Sequence, residues 1–379
     1  MKKVFALAAA IICASLVITG CMQKKSKVIR SSSSSRSSSS SSSSSRSVST
    51  PSRQPTTTAS AVATKAGTGN VATDPHVTLV YAEMNPLDTI VGKIASFYKE
   101  QVETLSEGSV TIEVHASGTL GSETDILAAM LKGGGTVDIA RISAFALTSY
   151  GAQKSVFLSL PFMFESREHF WNFANSSLGS EFLNEPQQIG LPVRGIFFGE
   201  EGFRHFFTTR PVRSVDDFKG MKLRVADDPV MNALVQALGA EPTAMPLTEL
   251  YTAIANNIVD GGEQPIANYR SNVFTEVAPN LILDGHTLGA VQAIISDKAW
   301  ANLTKEQQDV IMEAGKRTQA YNASIARRSE EEVLDALLND GINVVEVPNK
   351  TPWVNAVSSI TQQYTGSNPQ LYSQLQALK

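Results

Sequence analysis

Two arginines carry the strongest chemical signal in this chain of 379 residues. Arg224 stands in Leu223-Arg224-Val225, a strand-like run with apolar neighbours, so its guanidinium is expected to leave a sheet at the carboxyl end of a strand. Small-molecule crevices form there in open α/β sheets. A guanidinium presents a planar fork of N–H donors that pairs two-to-two with a carboxylate. The alternative is a structural ion pair, for which 36 Asp and Glu are available. Arg204 lies in strand-like Phe203–Phe207, where a cation–π contact with its phenylalanine neighbours competes with a ligand role.

No catalytic constellation accompanies these cations. The chain has no Gly-x-Ser-x-Gly elbow, no His-Glu-x-x-His and no Walker loop, and His76, His115, His169, His205 and His286 share no metal-ligand spacing. The adjacent carboxylates Glu200-Glu201 and Asp227-Asp228 point in different directions on any extended backbone, which does not suit a glycosidase pair. Cys13 and Cys21 both fall near the amino terminus, so the rest of the chain has no thiol for a disulfide, a metal or a nucleophile. The expectation is a binding protein with no catalytic residues, no metal and no cofactor.

Charge divides the chain at residue 73. All 36 acidic residues but only 22 of the 32 Lys and Arg lie in 74–379, which leaves that part at −14 against −4 for the whole. An acidic body argues against a nucleic-acid partner, because phosphate grooves need clustered positive charge. Residues 1–20 read as an export signal: Lys2 and Lys3, an apolar run from Val4 to Ile18, then Thr19-Gly20 before Cys21. The Gly-Cys junction resembles a lipoprotein signal, so Cys21 is expected to be lipidated and to anchor the protein to the outer face of a bacterial membrane. From Cys21 to Thr73 the composition is Ser, Thr, Ala, Lys and Arg, with Ser at 15 of the 17 positions 31–47. Such a stretch buries too little apolar surface to fold and is expected to act as a tether spanning roughly 40 Å.

The body alternates strand and helix patterns, which predicts α/β architecture with a mainly parallel sheet. Strands are expected at 76–81, 110–115, 137–142, 191–199, 221–225, 281–283, 291–296 and 342–347, besides Phe203–Phe207. Helices are expected at 88–105 with Asp88 as N-cap, from Ser122 to the Gly133-Gly134-Gly135 stop, at 228–238, 247–257 and 351–364. Thr304-Lys305-Glu306-Gln307 is a capping box that opens a helix running to Asn339, a rod of about 50 Å that must lie across two lobes. A small-molecule cleft between those lobes is the usual arrangement.

The segment Phe203-Arg204-His205-Phe206-Phe207, followed by Lys219-Gly220-Met221-Lys222-Leu223-Arg224, resembles the solute-binding proteins of TRAP transporters, the DctP-like family. The resemblance extends from Gly118-Thr119-Leu120-Gly121-Ser122-Glu123 and Leu160-Pro161-Phe162 to Met245-Pro246 and Asp260-Gly261-Gly262-Glu263-Gln264-Pro265, and so covers most of 74–300. It implies a two-lobed, periplasmic-binding-protein-like fold with the ligand cleft between the lobes and a long helix spanning both. Lobe I would comprise 74–200 plus about 289–329, and lobe II about 201–288 plus about 330–379.

The resemblance also implies that Arg224 clamps the carboxylate of a small organic acid and that Arg204 adds a second cation. Gln264 stands where the family usually has Asn; it keeps both amide functions but reaches one methylene further, so the ligand is smaller or the loop sits further back. Glu83, Asn85 and Ser143, at the ends of first-lobe strands, are weighed evenly between ligand contacts and capping or turn roles. His286 reads as a turn histidine near a crossover between lobes. The implied partners are an organic acid, the membrane permease subunits of the transporter and, through Cys21, lipid. Sugar acids such as uronates are favoured over C4-dicarboxylates; a sensory receptor and, further off, a lipid-anchored hydrolase are the other classes.

Overall fold

The computed structural model describes residues 71–379; the export segment, Cys21 and the Ser-rich stretch to residue 70 lie outside the described residues. Apolar alternation produces strands β1 Val77–Ala82, β2 Val110–His115, β3 Ile139–Ser143, β4 Val193–Thr208, β5 Lys222–Val225, β6 Glu241–Ala244, β7 Gly261–Pro265, β8 Asn280–Ser296 and β9 Asn343–Glu346. They form one sheet in the order β2-β1-β3-β8-β4-β7-β5-β6, with β9 paired to β8.

Strand–helix alternation yields parallel pairs β1–β2, β1–β3, β5–β6, β5–β7 and β8–β9. The centre of the sheet departs from the mainly parallel expectation, since β8 is antiparallel to β3 and β4, and β4 to β7. The reason is that β4 and β8 are single strands of 16 and 17 residues, each of which reads in sequence as two short strands. The polar interruptions are absorbed without ending the strand. The register of β4 shifts between Glu200 and Phe203, and Gly202 takes φ +100°, a conformation open to glycine.

One lobe is built on β1–β3, with Leu79, Tyr81, Ile94, Tyr98 and Val110 in its core. The other is built on β5–β7, with Leu250, Ile254, Tyr269 and Phe274 inside. A phenylalanine-rich core joins residues 144–182 to the helices Pro229–Ala237 and Thr351–Ser367. The two long strands connect the lobes, because β8 pairs with β3 near its carboxyl end while β4 pairs with β7 near its own.

The helix Lys305–Asn339 has the expected 35 residues and capping box, with Thr304 Oγ1 accepting from Gln307 N and Gln307 Oε1 accepting from Thr304 N at 3.1 Å. Near its start Ile311 O accepts from Tyr98 OH in the first lobe, and near its end Leu337 is buried in the second-lobe core. Gly315 lets it approach β4, since a Cβ there would come within 2.7 Å of Ile196 Cγ2.

Three local expectations are corrected. The first helix is Ile90–Leu105 and its cap is Thr89, whose Oγ1 accepts from Gly92 N at 3.0 Å; Asp88 is engaged elsewhere. The segment 247–257 is a 3-10 turn, Leu247–Glu249, followed by a short helix Leu250–Ala255. His286 lies inside β8 and not in a turn, and its Nδ1 is bonded to the buried Asp284 carboxylate.

Candidate ligand-binding site

A cavity of about 440 Å3 lies between the lobes, and its wall carries one arginine from each of β3, β4 and β5: Arg141, Arg204 and Arg224. The three have similar local sequences and different partners. Arg224, 4% exposed, sits on β5 between Thr243 of β6 and Gly262 of β7. Its Nε donates to Met245 O at 2.9 Å, and it forms no ion pair among the described residues. Burial lowers its pKa to about 10, a shift that the Glu263 carboxylate offsets only in part. An unpaired buried charge costs several kcal/mol, a cost that an anion placed beside it would offset.

Arg204 is already neutralised. Its Nε and Nη2 donate to the Glu263 carboxylate, the latter at 2.9 Å, and its Nη1 donates to Glu201 Oε1 at 2.8 Å. Arg141 is neutralised by Glu83, with Nε to Oε2 at 2.9 Å and Nη2 to Oε1. Both guanidinium pKa values are held above the ordinary value by these carboxylates, which overcome the opposing effect of burial. Each guanidinium therefore lines the cavity with its charge already paired within the protein.

Of the other candidates, Asn85, Ser143 and Gln264 line the cavity, while Glu83 stands behind Arg141 and is not among the lining residues. Glu83 Oε1 also accepts from Asn85 N at 2.8 Å, so both its oxygens are taken within the protein. Ser143, at the end of β3, donates through N and Oγ to Glu123 Oε2 at 2.9 and 3.3 Å. Gln264 Oε1 accepts from Asn268 Nδ2 at 3.4 Å, and the same amide donates to Glu201 Oε2 at 2.8 Å. Glu200 and Glu201 face opposite sides of β4, towards Arg167 and Arg204 respectively. Reading the sequence passed over Arg141, Glu123 and Glu201 as wall residues. The signal for Arg141 was present, because Ile139-Ala140-Arg141-Ile142 repeats the apolar setting that singles out Arg224.

A buried polar chain supports the wall. His286 Nδ1 bonds Asp284 Oδ2 at 2.6 Å, and its Nε2 lies 3.6 Å from Glu263 Oε2. Burial alone would lower the imidazole pKa, yet Asp284 and Glu263 raise it to about 9. Burial would likewise raise Glu263, but Arg204 and His286 hold it at about 2. Glu263 is thus an ionised carboxylate fixed between two cations, and it fixes Arg204 in turn.

Side chains also bridge the lobes at the rim of the cavity. Ser271 Oγ donates to Asp88 Oδ2 at 3.0 Å, Asn272 Nδ2 donates to Asn85 Oδ1 at 3.1 Å, and Ser149 Oγ donates to Asp227 O at 3.4 Å. These bonds hold the lobes together over the cavity.

Comparison with known proteins gives a consistent result. A family model described as bacterial extracellular solute-binding protein, family 7, matches residues 81–367. A solute-binding protein of Roseobacter denitrificans is 32% identical over 66% of this chain and 75% of its own length. The C4-dicarboxylate-binding periplasmic protein DctP of Rhodobacter capsulatus is 27% identical over 67% of this chain and 75% of its own. Among solved structures, a TRAP periplasmic solute-binding protein from a Bradyrhizobium species, in complex with α/β-D-galacturonate, superposes with a TM-score of 0.74. It is 28% identical and the match covers 80% of this chain and 99% of that one.

Proposed function

The chain belongs to bacterial extracellular solute-binding protein family 7, and we propose that it is the receptor of a TRAP-type secondary transporter, binding a small organic acid between its lobes and delivering it to the membrane permease. The observation that carries this reading is Arg224, a buried guanidinium on the cavity wall with no carboxylate partner among the described residues. Arg224 fixes the ligand carboxylate, Arg204 adds a charge-assisted hydrogen bond from a fork held by Glu201 and Glu263, and Gln264, Asn85 and Ser143 contact the rest of the ligand. Glu83 acts through Arg141, which it orients.

A sugar acid such as a uronate is the favoured ligand, in line with the galacturonate held by the Bradyrhizobium structure. The C4-dicarboxylate relative of Rhodobacter capsulatus supports the second reading. Binding biases an open–closed equilibrium in which 74–200 with about 289–329 moves against about 201–288 with about 330–379, hinged on β4 and β8. The sequence around Cys21 further supports a lipoprotein form anchored on the outer face of the membrane.

Calorimetry with D-galacturonate, D-glucuronate and succinate tests the reading. Because a charge-assisted hydrogen bond contributes about 1.5–3 kcal/mol, Arg224→Ala is expected to weaken the tightest of these ligands at least about tenfold. An unchanged affinity in that variant overturns the clamp.

A further inference from the structure

We propose that the cavity selects an organic acid with a single negative charge and a hydroxylated chain, and that Glu123 is the residue that turns away a second carboxylate. This rests on the receptor reading above and narrows its ligand class.

The argument starts from the charges around the cavity. Three buried guanidiniums, of Arg141, Arg204 and Arg224, face four carboxylates, of Glu83, Glu123, Glu201 and Glu263. The site is therefore one negative charge in excess before any ligand enters. One ligand carboxylate is still favoured because Arg224 is locally unpaired and desolvated. A second has no such partner. To pair its charge with Arg204 it would have to displace Glu263 or Glu201, and to pair it with Arg141 it would have to displace Glu83, leaving a buried carboxylate without its guanidinium.

Glu123 sharpens this asymmetry. It lines the cavity with 23% of its side chain exposed. Ser143 N and Oγ hold its Oε2 on the wall, and Arg141 Nη1 is 3.8 Å away, too far for a hydrogen bond. Its Oε1 makes no hydrogen bond among the described residues. A hydroxyl can donate to that oxygen, whereas an ionised carboxylate can only accept and is repelled. Asp125 beside Glu123 and Asp227 on the opposite lobe add further negative charge around the same cavity. A neutral sugar satisfies the acceptors but leaves Arg224 unpaired, so the arrangement discriminates in both directions.

The test is calorimetry on the folded protein with pairs of open-chain acids that differ only at the terminal carbon: galactonate with galactarate, and gluconate with glucarate. Galacturonate, succinate and galactose complete the panel. The tightest ligand is expected to be a hydroxylated monocarboxylate, at least about tenfold tighter than the dicarboxylate of the same chain, with galactose weaker still. Glu123→Gln keeps the size and the acceptor for Ser143 while removing the charge, and it is expected to narrow the ratio by a factor of at least about three. A dicarboxylate that binds the unaltered protein within tenfold of its partner, or succinate as the tightest ligand, overturns the inference and leaves the receptor reading intact. A ratio unchanged in a folded Glu123→Gln variant overturns the role of Glu123. Binding of galactose alone, or of no acid in the panel, overturns the receptor reading itself.

Discussion

A guanidinium removed from water without a counter-charge is destabilised by several kcal/mol, and Arg224 is placed in that condition by its surroundings. Arg141 and Arg204 occupy equally apolar stretches of strand yet each finds a carboxylate within the protein. Which arginine is free cannot be read from residue type or spacing, since Glu83 and Glu263 lie 58 and 59 residues along the chain from the arginines they pair with. His286 shows the same dependence. Its pKa rises from 6.5 to about 9 in the fold, so its pairing with Asp284 and Glu263 stabilises fully below about 6.5, where folded and unfolded chains both hold the proton. As pH rises from there the unfolded chain loses the proton first, and the contribution is gone once pH passes about 9. Urea unfolding is expected to show a loss on the order of 3 kcal/mol across that window, absent in His286→Gln. Equal pH slopes in the two proteins argue against the pairing.

At the scale of elements, the longer capped helices were legible, whereas short helices such as Arg167–Ala174 and Ser177–Leu183 and the continuity of the central strands were not. Ser122 and Thr304 act as the caps their sequences announce, and Asp228, at the start of the expected helix 228–238, caps it. β4 and β8 were split in sequence because Glu200-Glu201-Gly202 and Asp284-Gly285-His286 look like turns, whereas buried partners let the strand continue through them. Gly315 in the long helix is set by contact with β4, so Gly315→Ala is expected to destabilise by about 1–3 kcal/mol in chemical denaturation, although Ala is the better helix former. A stabilised variant runs against that packing. The bond from Asn272 to Asn85 joins the helix Ile266–Ser271 to the loop after β1 across the cavity rim. Asn272→Ala is expected to raise the ligand dissociation rate several-fold, about 1 kcal/mol for a lost hydrogen bond, with little change in association. Stopped-flow traces with the change confined to the association rate count against a bridge that holds the lobes closed.

For the whole molecule, a body at −14 that captures anions gains nothing from its long-range field and must rely on a local desolvated fork. If Cys21 is the anchor, Cys21→Ala moves the protein from the membrane to the soluble extracytoplasmic fraction; membrane retention of that variant removes the lipoprotein reading. The sequence by itself determined the α/β class, the long capped helix, the acidic body and the two arginines, because hydrophobic period, capping and composition are local properties. Only the tertiary structure decided that β4 and β8 are continuous and antiparallel, that Glu83 lies behind Arg141, and that Arg224 alone of the three wall arginines lacks a carboxylate. Those outcomes depend on which charges distant segments bring within 3 Å of one another, and a buried charge is governed by its partners and not by its neighbours in the chain.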